Sequence, residues 1–441
     1  MIVKNEAHLI LDTLKHLSNY ITFNYWVIND NGSTDGTQQI ILDYFKEKGI
    51  SGELDETPWK NFGYNRTIVF QRAYKKTDYV FVWDADDEIH GTFHLPPDLS
   101  SDSYQCTFGN DAGLRYSRKQ LFNNHLKWEY RGVLHEYPIC IEKTDSPVTI
   151  IGSYHFISGR KGSRNKDPKK YEKDALLLEQ AFQEEPSNDI KNRYAFYTAQ
   201  SYHSASMLEK AIEWYKKVLT LNGWKEEKYV SCITLYSIYE KQNKNEDGLQ
   251  YLVESFTHNK SRVEGIYQLI KYYCIKKQND IAYGYYTWIQ GEYENKYKDQ
   301  SYPNYLFSKK DEYDFYLPYY MIIVSERLKK METFSKMYEI IFSRNYLNIT
   351  SWWIHNVFTN IQFGISSLPK SMIFLKSMLI YIGQLRKKGF VLKVEHYKFI
   401  NDIMNHCTLS NTVKNDKQSS NIPYEEIVDM AIKMIESSKE R

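Results

Sequence analysis

The chain has 441 residues, of which 42% are hydrophobic and 25% charged, enough for two or three domains with sizeable cores. Its 57 basic and 55 acidic residues leave a formal charge of only +2, which excludes a protein recruited by charge to nucleic acid or to a membrane surface. The five cysteines (Cys106, Cys140, Cys232, Cys274, Cys407) are scattered and form no CxxC pair, so reduced thiols are expected rather than a disulfide framework or a zinc site. Met1-Ile2-Val3-Lys4-Asn5-Glu6 reaches charge after two apolar residues, unlike a signal peptide. The longest apolar stretch near the C-terminus, Ser371 to Gly383, contains Lys376 and is shorter than the roughly 20 residues of a membrane span. A cytoplasmic protein with at most peripheral membrane contact is expected.

Along residues 1 to about 160, strand-like and helix-like segments alternate. Leu9, Leu11, Leu14 and Leu17 give His8 to Leu17 a helical period. Tyr25 to Ile28 is a short apolar run ending at Asn29-Asp30-Asn31-Gly32, a strand entering a turn. Ser33 to Thr37 then opens a helix over Gln38 to Phe45, with Asp35 as a capping residue. A helix over about Asn65 to Lys75 precedes a strand at Tyr79 to Val82. This order predicts a doubly wound α/β domain over residues 1–165.

From about Asp167 the strand signals fade. Tyr202, Tyr239 and Tyr273 recur at intervals of 37 and 34 residues, with small and aromatic residues at helix contacts. This is a tetratricopeptide-like pattern, predicted over 166–290, although generic helical hairpins would show much of it. Residues 291–441 read as helical without a usable motif. A loose linker is expected near Ser410 to Asn421, before an amphipathic helix from Tyr424 to Ser437.

The strongest chemical signal is Trp83-Asp84-Ala85-Asp86-Asp87-Glu88, directly behind the apolar strand. Unpaired carboxylates are costly in a core, so the strand must surface there, at the edge where open α/β sheets bind ligands. If the segment stays extended, Asp84 and Asp86 share a face and suit a hard cation such as Mg²⁺ or Mn²⁺. Asp87 and Glu88 read as solvated turn acids.

Lys4-Asn5-Glu6, then Asn29-Asp30-Asn31-Gly32-Ser33-Thr34-Asp35-Gly36-Thr37, then Trp59-Lys60-Asn61-Phe62 with Arg66, then Asp84-Ala85-Asp86-Asp87 occur in order. Together they resemble glycosyltransferase family 2, in the subgroup related to lipopolysaccharide-core glucosyltransferases. Some bacterial members also carry a tetratricopeptide-like tail, and the resemblance extends to about residue 290. It implies a GT-A nucleotide-sugar-binding domain followed by an all-α repeat region, and a divalent cation, Mn²⁺ or Mg²⁺. It also implies a nucleotide-sugar donor, most plainly a UDP-sugar, and an inverting hexosyl transfer. Asp86 is the implied metal ligand. Asp84 would bind the ribose or share the ion, Asp30 the base or ribose, Glu6 the nucleotide pocket and Arg66 the diphosphate. Gly132-Val133-Leu134-His135-Glu136 resembles the subgroup's downstream element, which makes Glu136 the expected acceptor base. His135 would ligate the metal or hold the diphosphate, and His155 is its rival as a late metal ligand. The basic run Arg160 to Lys166 reads as a lid over the diphosphate or as a solvated linker.

Two departures stand out. The first strand lacks the apolar residues that usually precede this point, so it is short or starts upstream. Asn65-Arg66 stands where an Arg-Asn pair is common, so no contact of that Asn is carried over. The acceptor is expected to be a glycan, a lipid-linked glycan or a protein, with the repeats presenting it or binding a protein partner. A scaffold protein carrying a degenerate transferase domain is the alternative. A glycoside hydrolase fits poorly, because its two carboxylates must flank a sugar ring.

Overall fold

The computed structural model describes residues 1–109, 115–296, 305–408 and 424–437. The linker expected near Ser410 to Asn421 lies outside them. The chain forms two compact units, Met1–Gly248 with Asn304–Ser308, and Leu249–Pro303 with Lys309–Arg441.

The first unit opens as an α/β domain. Strand β1 (Ile2–Val3) leads to α1 (Ile10–Ser18), which buries Ile10, Thr13, Leu14 and Leu17 along one face at helical spacing. Then follow β2 (Trp26–Asp30), α2 (Thr37–Lys48), β3 (Gly52–Asp55), α3 (Phe62–Ala73) and β4 (Tyr79–Phe81). Strands β1, β2 and β3 pair in parallel in that order, which puts their carboxyl ends on one edge. Helix α3 begins at Asn61, whose side chain accepts from Tyr64 N–H, a sequence-visible N-cap.

The chain then departs from simple winding. It forms β5 (Glu88–Gly91), β6 (Ser103–Gly109), β7 (Arg115–Asn123), β8 (Trp128–Arg131), β9 (Tyr137–Cys140), β10 (Pro147–Thr149) and β11 (Tyr154–Ile157). A mixed six-stranded sheet runs β4-β7-β6-β11-β5, with β10 on β6, and β8 and β9 form an antiparallel pair. This is the mixed-sheet α/β architecture of the GT-A fold. Its core gathers Trp83, Phe93, Tyr104, Phe108, Leu121 and Phe156, each worth about 2–3 kcal/mol when fully buried. Between β2 and β4 lies a cavity of about 590 Å³ lined by Met1, Phe45, Val69, Phe70 and Phe81, among others. Beside it, β1 pairs with only Asn29 and Asp30 of β2.

Helices take over from residue 170: α4 (Lys170–Glu184), α5 (Asn188–Ser204), α6 (Leu208–Thr220) and α7 (Lys225–Lys241), with successive helices packed together. Next come α8 (Asn245–His258), α9 (Glu264–Ile275) and α10 (Asn279–Lys296). The second unit continues with α11 (Leu317–Arg327), α12 (Met331–Arg344), α13 (Ser351–Asn360), α14 (Met372–Lys387), α15 (Val394–Thr408) and α16 (Tyr424–Ser437). The final helix spans the residues read from the sequence.

The recurring tyrosines mark one repeated turn. Tyr202, Tyr239 and Tyr273 each give their carbonyl to the N–H five residues on, in Met207, Lys244 and Gln278. The residues just before those donors, Ser206, Asn243 and Lys277, are left-handed at φ of 59°, 58° and 60°. This is the Schellman closure of a helix, and it recurs where Lys330 N–H bonds to Ser325 O after left-handed Lys329 at φ 58°. All five cysteines are free and buried. Among the described residues, no helix is long and apolar enough to cross a membrane.

Candidate active site

The turns after β1 and β2 are stitched to each other. Asn5, left-handed at φ 56°, accepts from Thr34 N–H and donates its own N–H to Ser33 Oγ, both at 2.8 Å. Glu6 N–H donates to Thr37 Oγ1 at 2.9 Å, and Ala7 N–H to Asp35 Oδ2 at 3.0 Å. Asp35 also accepts from Thr37 N–H in the first turn of α2, the capping role expected of it. These contacts place Glu6, 8% exposed, at the parallel sheet's carboxyl edge.

Asp30 ends β2 at 1% exposure. Its Oδ1 accepts from Gly32 N–H, Ser33 N–H and the Gln38 side chain. Its Oδ2 is buried with no hydrogen-bond partner, an unusual state for a carboxylate oxygen. Beneath it lies a network that sequence reasoning missed. Asn29 Nδ2 donates to Asp55 Oδ2 at 2.7 Å, and Asn31 and Asn65 both donate to Asn29 Oδ1. Asn29 and Asn65 are fully buried.

The acid cluster is a turn rather than an extended segment: Asp87 N–H donates to Asp84 O at 3.2 Å. Alternation therefore does not apply, and the expected shared face of Asp84 and Asp86 gives way to separate partners. Asp84 Oδ1 accepts from Arg66 Nη2 at 2.5 Å, and its Oδ2 from Arg118 Nη2 at 3.1 Å. Burial opposes ionisation of Asp84, but the two guanidiniums outweigh it and hold its pKa well below the carboxylate range. Arg66 Nε reaches Glu136 Oε1 at 2.6 Å, so one guanidinium bridges Asp84 and the expected base. Arg118, on β7, also lies 3.5 Å from Asp87. Nothing in the local sequence distinguishes Arg118 from Arg115 and Lys119, the other cations of the same strand.

Asp87 is not the solvated turn acid expected. It is 3% exposed, and burial followed by the charge of Asp84 pushes its pKa up to about 7. Glu88 does fit that expectation, half-exposed and paired with Lys161 at 2.6 Å and His90 at 3.3 Å.

The basic run is laid over the acids. Gly162 N–H donates to Asp86 Oδ2 at 3.0 Å, and Ser163 N–H to both Glu6 oxygens at 3.1 and 3.2 Å. Ser163 Oγ donates to Asn5 O, and Gly159 N–H to Asp87 Oδ1 at 3.3 Å. A Cβ added to Gly162 would lie 3.2 Å from Asp86 Oδ2 and 3.3 Å from Glu6 Oε1, so both carboxylates converge on one cradle. Burial, with a further contribution from the charge of Asp86, raises the pKa of Glu6. Two converging carboxylates with only neutral amide partners suit a hard divalent cation, and Asp86 with Glu6 fits one better than Asp84, whose oxygens are both taken by arginine.

Glu136 follows the tight turn between β8 and β9. His135 within that turn is left-handed at φ 54°, with its ring stacked on Tyr197 at 3.8 Å between centroids. Although the residue is exposed overall, desolvation of the stacked ring and the charges of Arg193, Arg164 and Lys170 push its pKa down to about 3. His155 lies on β11 in register with His90 of β5, their rings 5.5 Å apart. The site thus brings Glu6 and Asp86 together under one loop, and Glu136, Arg66 and Asp84 into one ion-paired row. His135 belongs to the packing against α5, and His155 to the β5–β11 pair.

No curated protein matches the chain. The family model described as Glycosyl transferase family 2 matches residues 1–97, a span holding Glu6, Asp30, Arg66, Asp84 and Asp86. That similarity supports glycosyl transfer as the general activity of the chain and a nucleotide-sugar donor with an acceptor as its general ligands.

Proposed function

We propose that the α/β domain is a metal-dependent, inverting hexosyltransferase that uses a nucleotide-sugar donor, in the first instance a UDP-sugar. The observation that carries this reading is the convergence of Asp86 and Glu6 on Gly162, beside a buried Asp30 oxygen with no partner. Asp30 Oδ2 is an acceptor suited to a ribose hydroxyl or a base N–H. Asp86, with Glu6 beside it, would hold the divalent ion, Mn²⁺ or Mg²⁺. A bound divalent ion would stabilise the negative charge that develops on the departing diphosphate. Arg66 pairs with both Asp84 and Glu136 and is a bidentate donor suited to a phosphate oxygen. Glu136 would accept the acceptor hydroxyl's proton. Of the two histidines, His155 is the better candidate for a late ligand, because His135 is stacked and surrounded by cations.

The helical hairpins support a tetratricopeptide-like region over 166–290, after a transferase domain over 1–165 and before a further helical region over 291–441. Such hairpins suit presentation of a glycan, lipid-linked or protein acceptor. The test is calorimetry of UDP-sugars with Mn²⁺ on the wild type and Asp86→Asn. Metal-dependent donor binding that is lost in the variant is expected. Equal binding by both proteins would remove Asp86 from the metal site, and no binding of any sugar nucleotide would favour the scaffold reading.

A further inference from the structure

The turn that carries Glu136 is poorly able to hold its own shape. Within five residues it contains Gly132 at φ 111° and His135 at φ 54°. A non-glycine residue in that region costs roughly 1–2 kcal/mol, and such conformations persist where the surroundings over-determine them. Two helices do so here. From one side, the first turn of α3 donates Phe62 N–H to Val133 O and Gly63 N–H to Gly132 O, both at 3.2 Å. The same helix supplies Arg66 to the Glu136 carboxylate.

From the other side the grip comes from α5, in the helical region. Tyr194 Oη accepts from Val133 N–H at 3.0 Å. Arg193 Nε donates to His135 O at 2.8 Å, and Tyr197 stacks face to face on the His135 ring with an interplanar angle of 9°. Arg193 is itself steadied, with Nη1 lying 3.4 Å from Glu227 in the first turn of α7 and the guanidinium 4.7 Å from the Tyr197 ring centroid. Tyr194 and Glu227 are each 3% exposed, so both act from a packed interior rather than from a mobile surface. The backbone leading into Glu136 is therefore held by side chains more than 50 residues downstream, in helices that the family match over residues 1–97 does not reach.

We propose that Arg193 and Tyr194 are positioning residues for transfer. They fix the turn Gly132–Glu136 and hence the Glu136 carboxylate, so the first helices of the repeat region are a working part of the active site rather than a detachable acceptor module. This inference rests on the reading of Glu136 as the acceptor base. Neither residue contacts Asp30, Glu6 or Asp86 in the interactions described above, so donor binding and turnover are expected to separate.

The test uses the full chain with Tyr194→Phe, Arg193→Gln and Arg193→Lys. The readouts are calorimetric affinity for UDP-glucose with Mn²⁺, the rate of UDP release with water standing in as acceptor, and amide exchange over Val133–Glu136. Tyr194→Phe and Arg193→Gln are expected to keep donor affinity within about twofold while turnover falls 10- to 100-fold, the scale of a reacting group displaced by about 1 Å. Exchange at Val133 should accelerate, and Arg193→Lys should recover part of the rate. Normal turnover in both variants, or turnover and donor affinity lost in proportion, would overturn the positioning role. A wild type that binds no donor would instead refute the transferase reading itself, a failure distinct from the first. Should Arg193→Gln fail to fold, Tyr194→Phe keeps the side-chain volume and still decides the matter.

Discussion

Arg66 holds the ion-paired row together, and its removal makes the sharpest test of that row. The side chains of Arg66, Asp84 and Glu136 are only 11%, 23% and 11% exposed, so solvent screens their charges weakly. In Arg66→Met, Asp84 keeps Arg118 at 3.1 Å, whereas Glu136 loses the one ion-pair partner described for it. Leaving a buried charge without its partner costs about 3–5 kcal/mol, and the retained Asp84–Arg118 pair places the expectation near the lower end, about 3 kcal/mol. Arg66→Lys keeps a charge but cannot bridge both carboxylates, so an intermediate loss is expected. Because the chain has two compact units, one unfolding curve does not define one free energy. The assay is therefore urea-dependent amide exchange read on α3 and on residues 132–136. The pH arm fixes the sign. The pKa of folded Asp84 is depressed from 3.8, so its contribution is present above about pH 4 and is lost as pH falls through the folded value. The Asp84 part of the penalty in Arg66→Met should accordingly be full at pH 7 and begin to shrink only below about pH 4. A loss below about 1 kcal/mol at pH 7 would refute the ion-paired row as a stabilising unit.

Asp87 has the opposite sign: its folded pKa is raised from 3.8 to about 7, so the unfolded state ionises first and stability falls as pH rises through that window. Asp87→Asn should flatten this slope and exceed the wild type by more than about 1 kcal/mol at pH 8, as read by urea-dependent amide exchange on β5 from pH 4 to 8; a parallel slope would count against it. A Cβ at Gly159 would collide with the backbone carbonyl of Asp86. Gly159→Ala should therefore cost about 1–3 kcal/mol and speed exchange of the Gly162 and Ser163 amides, and unchanged exchange there would show that the loop is not seated on the acids. Ser206, left-handed at φ 59°, should gain roughly 0.5–1 kcal/mol as Ser206→Gly, seen as a raised melting temperature with donor affinity unaltered; a lower melting temperature would show that the turn is not paying that strain.

What the sequence disclosed follows from what each contact depends on. Helix α1 was legible because its cause, an apolar spacing, lies within the helix itself, whereas Tyr202, Tyr239 and Tyr273 were legible as a helical period but not as the turns that their carbonyls close. The motifs within the first 90 positions were legible as an ordered set, and the family model matches the span that holds them. The strands from Glu88 to Ile157 were not, because a mixed sheet is decided by pairing between distant segments, such as Ile157 with Glu88 and Phe81 with Leu121. Asp87 looked solvated because its burial arises from Gly159, 72 residues on. Arg118 was missed for the same reason. The alternation argument for Asp84 and Asp86 failed on a local point: the chain turns at Ala85-Asp86 instead of staying extended.

The residues of the ordered set also divide by the strength of what they hold. Ser33, Thr34, Asp35 and Thr37 are consumed in binding Asn5, Glu6 and Ala7, which makes them joinery between two turns. Asp84 is held by two guanidiniums, charge-assisted partners that are expensive to displace. Asp86 and Glu6 are held by the neutral N–H groups of Gly162 and Ser163, whose net worth is about 1 kcal/mol each, and Asp30 Oδ2 is held by nothing. A ligand arriving at this edge meets the least resistance at Asp30, then at Glu6 and Asp86, and the most at Asp84. The partners of these acids thus grade from none at Asp30 Oδ2 to two guanidiniums at Asp84, which is tied to Arg66 and, through it, to Glu136.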